Sequence, residues 1–346
     1  MICCGFYGIK TYKQDGGSIF NLKPFIRLLL ICMLVTVLLT GYNNTARADG
    51  GISMRAQAGM AGYARSSEYI PIQVLIENQG KPVNGRLELK SLNGQKVILY
   101  ERHISLAGGA KKRVNMYLPR GTGNPYAVSF MSGDKKLAAA RLRLTMLPDL
   151  EVAAGILAAD PAPLKNLENM KFPMQGQHLT ALNLNAEEIP EQSLLLDNLD
   201  VLIINDFSTR LLSARQIAAI EKWTQNGGLL VLTGGLAWQK TLSPLPPSLL
   251  PVKVTGSIKV NSLPGIETLA GEKPKPAGPL VVSRSMLVDG QVILSDDGNP
   301  LIVQKPVGSG DIVYLAFDPA QPLLAKWSAM TVLWSQLLFK TDPHRI

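Results

Sequence analysis

The sequence predicts two domains of different class: an all-β sandwich of the immunoglobulin-like type, followed by an α/β domain with a parallel sheet. Short alternating apolar stretches separated by turn residues fill residues 49–147, which is typical of a sandwich. From residue 148 onward, near-continuous apolar runs are joined by helical patterns, which is typical of strands covered on both faces. With 346 residues, 46% of them hydrophobic, the chain has enough apolar surface for a sizeable core.

The leading segment, residues 1–48, predicts export. Lys23 and Arg27 precede an apolar run, Leu28–Leu39, that is shorter than the ~20 residues of a comfortable membrane span. Ala46–Ala48 then offers the small-x-small pattern of a signal peptidase site. The segment is therefore expected to be a signal peptide or, alternatively, an uncleaved N-terminal anchor. Either way the rest of the chain is expected to be extracytoplasmic, secreted or membrane-anchored.

Cysteine usage and charge exclude several function classes. All three cysteines, Cys3, Cys4 and Cys32, lie in the leading segment, so the remainder has no disulfide, no cysteine metal ligand and no cysteine nucleophile. The net charge is +9, but the leading segment holds five basic residues and one acid, so the excess in the remainder is only five. That balance does not indicate a nucleic-acid partner.

Within residues 49–147, period-two alternation predicts strands. Tyr69–Glu77 places its isoleucines and valine on one face, and Asn93-Gly94 is a strong tight-turn dipeptide between two further strands. The basic cluster Lys111–Arg113 is interpreted as a solvated turn; the alternative is contact with an anionic wall polymer or lipid headgroups. His103 is expected to be an exposed strand residue. Such a sandwich is usually a spacer or adaptor.

In residues 148–346 the spacing of apolar residues is different from that of the preceding region. Leu199–Ile204 predicts a buried strand, Ser213 with Gln216 three residues later predicts a helix start, and Leu229–Leu232 predicts the next strand. Strand, helix and strand in this order imply a parallel pair. Residues 237–283 are rich in proline and are expected to form an insertion that is irregular or carries only edge strands.

Polar residues follow the predicted strands of this second domain. Because ligands bind beyond the carboxyl ends of strands in open α/β sheets, these residues are expected to line a crevice. The candidates for ligand binding are Asp206, Ser208, Thr233, Gly234, Gly235 and Asp318. Asp206 and Asp318 form either an acid/base pair or two caps of the following turns, and His178 is a further catalytic candidate. The three histidines lack metal-ligand spacing, so neither a metal nor a cofactor is expected.

Two long runs carry a resemblance to a known family. They are NLDVLIINDFSTRLLSARQIAAIEKWTQNGGLLVLTGG, ending at Gly235, and GSGDIVYLAFDPAQPLLAKWSAMTVLW, from Gly308 to Trp334. They resemble the flavodoxin-like fold of class I glutamine amidotransferases, and most of all its non-catalytic versions in exported or membrane-anchored bacterial proteins, in which a β-sandwich comes first. Active members carry a cysteine at the strand-to-helix elbow. Here the corresponding residues are Thr233-Gly234-Gly235, so the resemblance implies no cysteine-dependent glutamine hydrolysis.

These observations leave two hypotheses for function. The favoured one is a non-catalytic extracytoplasmic binding or assembly module of the bacterial cell envelope, with a protein partner or a small ligand, no nucleic acid, and membrane contact through the leading segment if that segment is uncleaved. The alternative is a cell-envelope hydrolase in which Asp206 and Asp318, with His178, perform acid/base chemistry. The alternative requires the two carboxylates to meet across one crevice.

Overall fold

The computed structural model describes residues 51–65, 68–93, 95–121, 125–148, 150–170, 172, 176–270 and 279–339, which fall in one compact unit. The expected signal peptide or anchor, residues 1–48, lies outside the described residues. Within the described ranges, each helix is too short or too polar to cross a bilayer.

The N-terminal region, up to residue 148, contains two antiparallel sheets and one short parallel pair. The three-stranded sheet has the order β1-β3-β6, and the four-stranded sheet has the order β5-β4-β7-β8. The strands are β1 (Ile52–Ala58), β2 (Tyr63–Ala64), β3 (Ile70–Asn78), β4 (Val83–Asn93), β5 (Lys96–Leu106), β6 (Lys111–Leu118), β7 (Pro125–Ser132), β8 (Lys135–Arg141) and β9 (Thr145–Met146). The parallel pair is β2 with β9.

The two sheets share one hydrophobic core. Strand β3 buries every second residue, as the alternation from Tyr69 to Glu77 predicts. Its side chains Ile72 and Val74 pack in the same cluster as Leu89 and Phe130 of the four-stranded sheet. His103 lies exposed on β5, as expected, and the basic cluster Lys111–Arg113 begins strand β6 instead of forming a turn. The second core belongs to the remainder of the chain and contains residues from 147 to 338, together with Met60.

A seven-stranded sheet organises the C-terminal region, in the order β11-β10-β12-β13-β18-β17-β16. The strands here are β10 (Glu151–Ala158), β11 (His178–Leu184), β12 (Val201–Asn205), β13 (Leu229–Thr233), β14 (Val252–Val260), β15 (Leu280–Leu287), β16 (Gln291–Asp296), β17 (Asn299–Val307) and β18 (Gly310–Leu315). The five strands from β11 to β18 are mutually parallel, and β17 and β16 add to them antiparallel. Strands β14 and β15 form a separate antiparallel pair.

The helices of this region are mostly short. The α-helices are Ala214–Gln225, Trp238–Thr241, Pro264–Ala270, Pro322–Ala325 and Ala329–Phe339, and the 3₁₀ helices are Ala162–Asn169, Ala186–Glu188, Ser193–Asn198, Thr209–Leu211, Gly235–Ala237 and Pro247–Leu249. The helix Ala214–Gln225 joins parallel strands β12 and β13, as predicted. It begins at a complete capping box, in which Ser213 and Gln216 satisfy each other's backbone N–H groups.

The predicted fold class, a flavodoxin-like α/β domain after an immunoglobulin-like sandwich, is wrong. The chain is a β-rich fold of several sheets, with 48% strand and 23% helix. Among the connections between parallel strands, the one from β12 to β13 carries a 12-residue α-helix. Those from β10 to β11 and from β11 to β12 carry 3₁₀ turns in segments rich in proline and asparagine. Proline and asparagine disfavour helix interiors, so these segments supply no α layer.

Candidate functional site

Three neighbouring strands of the seven-stranded sheet end at the same edge, which we call the carboxyl edge. Strand β12 ends at Asn205, β13 at Thr233 and β18 at Leu315, and the three are parallel neighbours. The residues that follow each strand are therefore brought together. Five of the six crevice candidates, Asp206, Thr233, Gly234, Gly235 and Asp318, meet there.

A chain of hydrogen bonds connects the three strand ends. The Thr233 hydroxyl, fully buried, donates to Asn205 Oδ1 at 2.6 Å. The Asn205 side chain in turn donates to the Asp318 carboxylate, and the N–H of Ala320 donates to Asp318 Oδ1 at 2.7 Å. The carboxylate thus closes the turn after β18, the capping role that the sequence left open beside the catalytic one.

Asp206 lies next to this chain in an unusual backbone conformation. Its φ of +48° is in the left-handed region, which side-chain-bearing residues seldom occupy. Its carboxylate Oδ1 pairs with Lys240 Nζ at 2.7 Å, and both side chains are partly exposed. The left-handed turn directs the chain from β12 toward the 3₁₀ helix Thr209–Leu211, and aspartate is among the residues that tolerate it best.

The two carboxylates have different electrostatic environments. Burial raises the pKa of Asp318 above its ordinary value of 3.8, and the negative charge of Asp206 raises it further. Hydrogen bonds from Ala320 and Asn205 and the charge of Lys240 act in the opposite direction without cancelling the effect of burial. A buried carboxyl whose pKa is raised beside a second carboxyl is a pattern found in acid/base sites as well as in structural ones.

The glycines after β13 are tightly enclosed. Gly235 has a φ of +76°, and its N–H donates to Ser283 Oγ at 2.9 Å and to the carbonyl of Ala316 at 3.0 Å. A Cβ atom at Gly234 would lie 2.4 Å from Ser283 Oγ. Glycine is needed here because strand β15, which carries Ser283, packs directly on the elbow. Beneath it, burial raises the pKa of the Tyr314 hydroxyl to about 12.

Two candidates are placed differently. Ser208 caps the 3₁₀ helix Thr209–Leu211 through its carbonyl, which accepts from the N–H of Leu211 at 3.0 Å. His178 is the first residue of β11 and pairs with Glu151, the first residue of β10. It is therefore exposed at the amino ends of the parallel strands, at the opposite edge of the sheet from the two aspartates.

Three residues of the carboxyl edge were not predicted as site residues: Asn205, Lys240 and Ser283. Asn205 ends a buried strand, where a polar residue is itself a signal for an internal hydrogen bond. Lys240 and Ser283 come from the proline-rich segment, and no local pattern indicates that either one returns to β12 and β13. Among the described residues, no three His, Asp, Glu or Cys side chains are grouped so that they could hold a metal ion.

Comparison with protein families places a domain of unknown function, DUF8726, on residues 51–145. This range covers the two-sheet N-terminal region and leaves the carboxyl edge outside. A comparison with the sequences of curated proteins found no match.

Among solved structures, the matches are partial and distant. An exo-β-1,4-mannosidase from Opitutaceae bacterium strain TAV5 is 13% identical, with a TM-score of 0.34 over 54% of this chain and 35% of the enzyme. A β-glucosidase from Erythrobacter marinus is 14% identical, with a TM-score of 0.22 over 28% of this chain and 15% of the enzyme. A cycloisomaltooligosaccharide glucanotransferase from Paenibacillus is 9% identical, with a TM-score of 0.26 over 52% and 27%. The chain thus spans about a third of the length of the mannosidase and a smaller share of the other two enzymes. A likeness this weak supports no conclusion about the activity of this chain.

Proposed function

We propose that the chain is a non-catalytic binding or assembly module of the bacterial cell envelope, with a protein or a small molecule as its partner. The export pattern of residues 1–48 supports the location, and residues 49–346 contain no cysteine. Under this proposal, the chain binds a partner and catalyses no reaction.

One observation carries the proposal: polar groups at the carboxyl edge bond to other groups of the chain. The Thr233 hydroxyl is bonded to Asn205, the Asp206 carboxylate to Lys240, and the Asp318 carboxylate to Ala320 and Asn205. A nucleophile needs a neighbouring base that accepts its proton, and the Thr233 hydroxyl donates instead to an amide oxygen, which is not a base. The two residues that follow it are glycines.

A second candidate function rests on a different observation. The raised pKa of Asp318 supplies one carboxyl that holds its proton to higher pH, beside a second carboxyl, Asp206, that is paired with Lys240. A hydrolase could use the first as general acid and the second as general base or nucleophile. Under this alternative, His178 has no part, because it lies at the other edge of the sheet.

Turnover measurements decide between the two. The full chain is incubated with chromogenic glycosides, esters and phosphate esters, beside the variants Asp206→Asn and Asp318→Asn. We expect the wild-type chain to release no more chromophore than either variant, because the proposed module has no reacting group at this edge.

Asp289→Asn is the matched control, since Asp289 is an exposed acid paired with Lys305 away from the carboxyl edge. The proposal would be overturned, and the hydrolase established, if the wild-type chain turned over a substrate and both edge variants lost at least about a hundredfold of that rate. The two variants would have to keep the wild-type unfolding temperature, and Asp289→Asn would have to keep the wild-type rate.

A further inference from the structure

Strand β6 has one edge free of strand partners. It pairs with β3 alone among the described strands, and the two run antiparallel from Ile70↔Leu118 to Glu77↔Lys111. One residue beyond this register, the N–H of Asn78 donates to the carbonyl of Ala110 at 2.8 Å. Because backbone direction alternates along a strand, the even-numbered residues of β6 also bond toward β3. The N–H and C=O groups of the odd-numbered residues, Arg113, Asn115 and Tyr117, point away from it.

A side chain from the other sheet confirms this direction. Arg102 of β5 donates through Nη1 to the carbonyl of Asn115, which requires that carbonyl to face outward from the three-stranded sheet. Strand β5 is likewise the edge of the four-stranded sheet. The two sheet edges therefore lie side by side, joined by one arginine.

A cavity of about 400 Å³ lies against this edge. Its lining comprises residues 112–117 of β6, residues 187–192, and Arg102, His103 and Ile104 of β5, together with Gln57, Gly59, Leu195 and residues 71–73. A second, more open cavity of about 470 Å³ shares His103, Ile104 and Lys112 with the first. We call these two adjoining cavities the β6 groove. Its β6 wall is six residues long, which corresponds to roughly 20 Å of extended chain.

The charges of the groove are unequally compensated. Among the acids of residues 187–192, Glu187 pairs with Arg113 and Glu191 pairs with Arg215, whereas Glu188 accepts hydrogen bonds from the neutral donors Gln57 and Asn185. Neither Lys112 nor Arg102 is paired with an acid in the described part of the chain. The groove therefore carries two unpaired cations, Lys112 and Arg102, against one carboxylate without a cationic partner, Glu188, and this positive excess lies beside backbone donors that have no strand partner.

We propose that the β6 groove binds an extended acidic peptide segment of a partner protein, which adds to β6 as a further strand. Backbone N–H groups of Arg113, Asn115 and Tyr117 would supply main-chain bonds, and Lys112 and Arg102 would select acidic side chains. A second copy of β6 is a poor occupant, because that strand carries three basic residues and no acid and so does not complement the positive groove. This surface is separate from the carboxyl edge, so the inference does not depend on the proposed function.

The test uses synthetic peptides and the full chain in detergent. The probe is a seven-residue peptide that alternates valine and glutamate. There are two matched probes. The first replaces each glutamate with lysine. The second keeps the glutamates and carries methyl groups on alternate backbone nitrogens, so that one edge of the peptide loses its N–H donors while the charge is unchanged. Titration calorimetry measures each affinity at low and moderate salt.

Protein variants examine the same two features. Asn115→Pro removes an outward N–H and leaves the β3 ladder intact, because this donor takes no part in it. Asn115→Ala is its control, since it alters the side chain and keeps the N–H. Lys112→Glu reverses a groove charge, and Lys135→Glu makes the same change on exposed β8.

We expect the acidic peptide to bind, and the methylated or lysine peptide to bind about tenfold more weakly or worse. Asn115→Pro and Lys112→Glu should weaken the acidic peptide to a similar degree, while their controls should match the wild type. The strand-addition proposal would be overturned if the methylated and unmethylated acidic peptides bound equally well. It would also be overturned if polyphosphate bound and lost affinity in Lys112→Glu as the peptide does, because the site would then recognise any polyanion. So would the absence of any binding, and the methylated probe keeps the test valid even if Asn115→Pro does not fold.

Discussion

At the carboxyl edge of the seven-stranded sheet, hydroxyl, amide and carboxylate groups bond mainly to one another, whereas along β6 the backbone N–H groups of alternate residues face an open groove. Both surfaces are polar. At the first, Thr233, Asn205 and Asp318 form a connected chain of hydrogen bonds. At the second, the outward carbonyl of Asn115 is bonded by one arginine and the neighbouring donors have no strand partner.

The difference teaches where to look for binding in this molecule. A polar group that is already bonded within the fold gains little from a ligand, because a new bond must replace an old one. An exposed edge N–H is bonded to water and can exchange it for a partner at small cost. Topology alone would have directed attention to the carboxyl edge. The bonding within the two surfaces points instead to the β6 groove.

The largest effect is expected where the carboxyl edge is packed most tightly. Gly234→Val would bring its Cβ within 2.4 Å of Ser283 Oγ, the atom that accepts from the N–H of Gly235. Either strand β15 moves or the bond is lost, so the free energy of unfolding should fall by about 3 kcal/mol. Guanidinium denaturation at pH 7 measures it.

The matching change on the groove side is Asn115→Val. Asn115 lies on β6, where a β-branched residue is favourable, so the change in stability should stay within about 0.5 kcal/mol. If Gly234→Val were as mild as Asn115→Val, the carboxyl edge would be open rather than packed, and the contrast between the two surfaces would fail.

A smaller loss is expected when the hydrogen-bond chain is cut at its centre. Asn205→Ala leaves the buried Thr233 hydroxyl with the distant carbonyl of Ile204, at 3.4 Å, as its acceptor and removes a donor from Asp318. Loss of these two hydrogen bonds should lower the free energy of unfolding by about 2 kcal/mol. The double variant Asn205→Ala with Thr233→Val removes both partners and should recover part of this loss. A double-mutant cycle with no coupling between the two positions would contradict the hydrogen-bond chain.

Local patterns predicted much of this molecule. The alternation in β3, the capping box at Ser213 and the parallel pair of β12 and β13 depend on neighbours in sequence, and the structure contains all three. The convergence of Asp206 and Asp318 followed from a general property of parallel strands. His178 was misleading, because a strand pattern does not reveal at which edge of the sheet its first residue lies.

The fold class was mispredicted because it depends on the segments whose patterns were weakest. A flavodoxin-like fold requires α-helical crossovers between β10, β11 and β12, but the described parts of these two connections contain 3₁₀ helices. The proline-rich insertion provides β14, β15 and Ser283, and these reach the elbow through contacts that no local pattern encodes. Lys240 joins Asp206 for the same reason: the pairing is tertiary.

The smallest effect concerns pH. Because burial holds the pKa of Asp318 above 3.8 in the folded chain, the folded state retains this proton when the unfolded state has lost it. Stability therefore falls as pH rises from about 3.8 through the raised pKa, and it changes no further above that value. Asp318→Asn removes this titration. Between about pH 3.8 and the raised pKa, the unfolding free energy of the wild type should therefore decrease relative to that of the variant as pH rises.

Asp289→Asn provides a control with the opposite sign. Lys305 and the N–H of Gly290 lower the pKa of Asp289, so its contribution is present at neutral pH and is lost as pH falls through the lowered pKa. Denaturation midpoints measured at about half-unit pH steps should give a wild-type-minus-variant difference that declines with rising pH for Asp318 and rises with pH for Asp289. Equal slopes at the two positions would mean that Asp318 is as well solvated as a surface acid, and the carboxyl edge would then have to be regarded as an open crevice able to take a ligand.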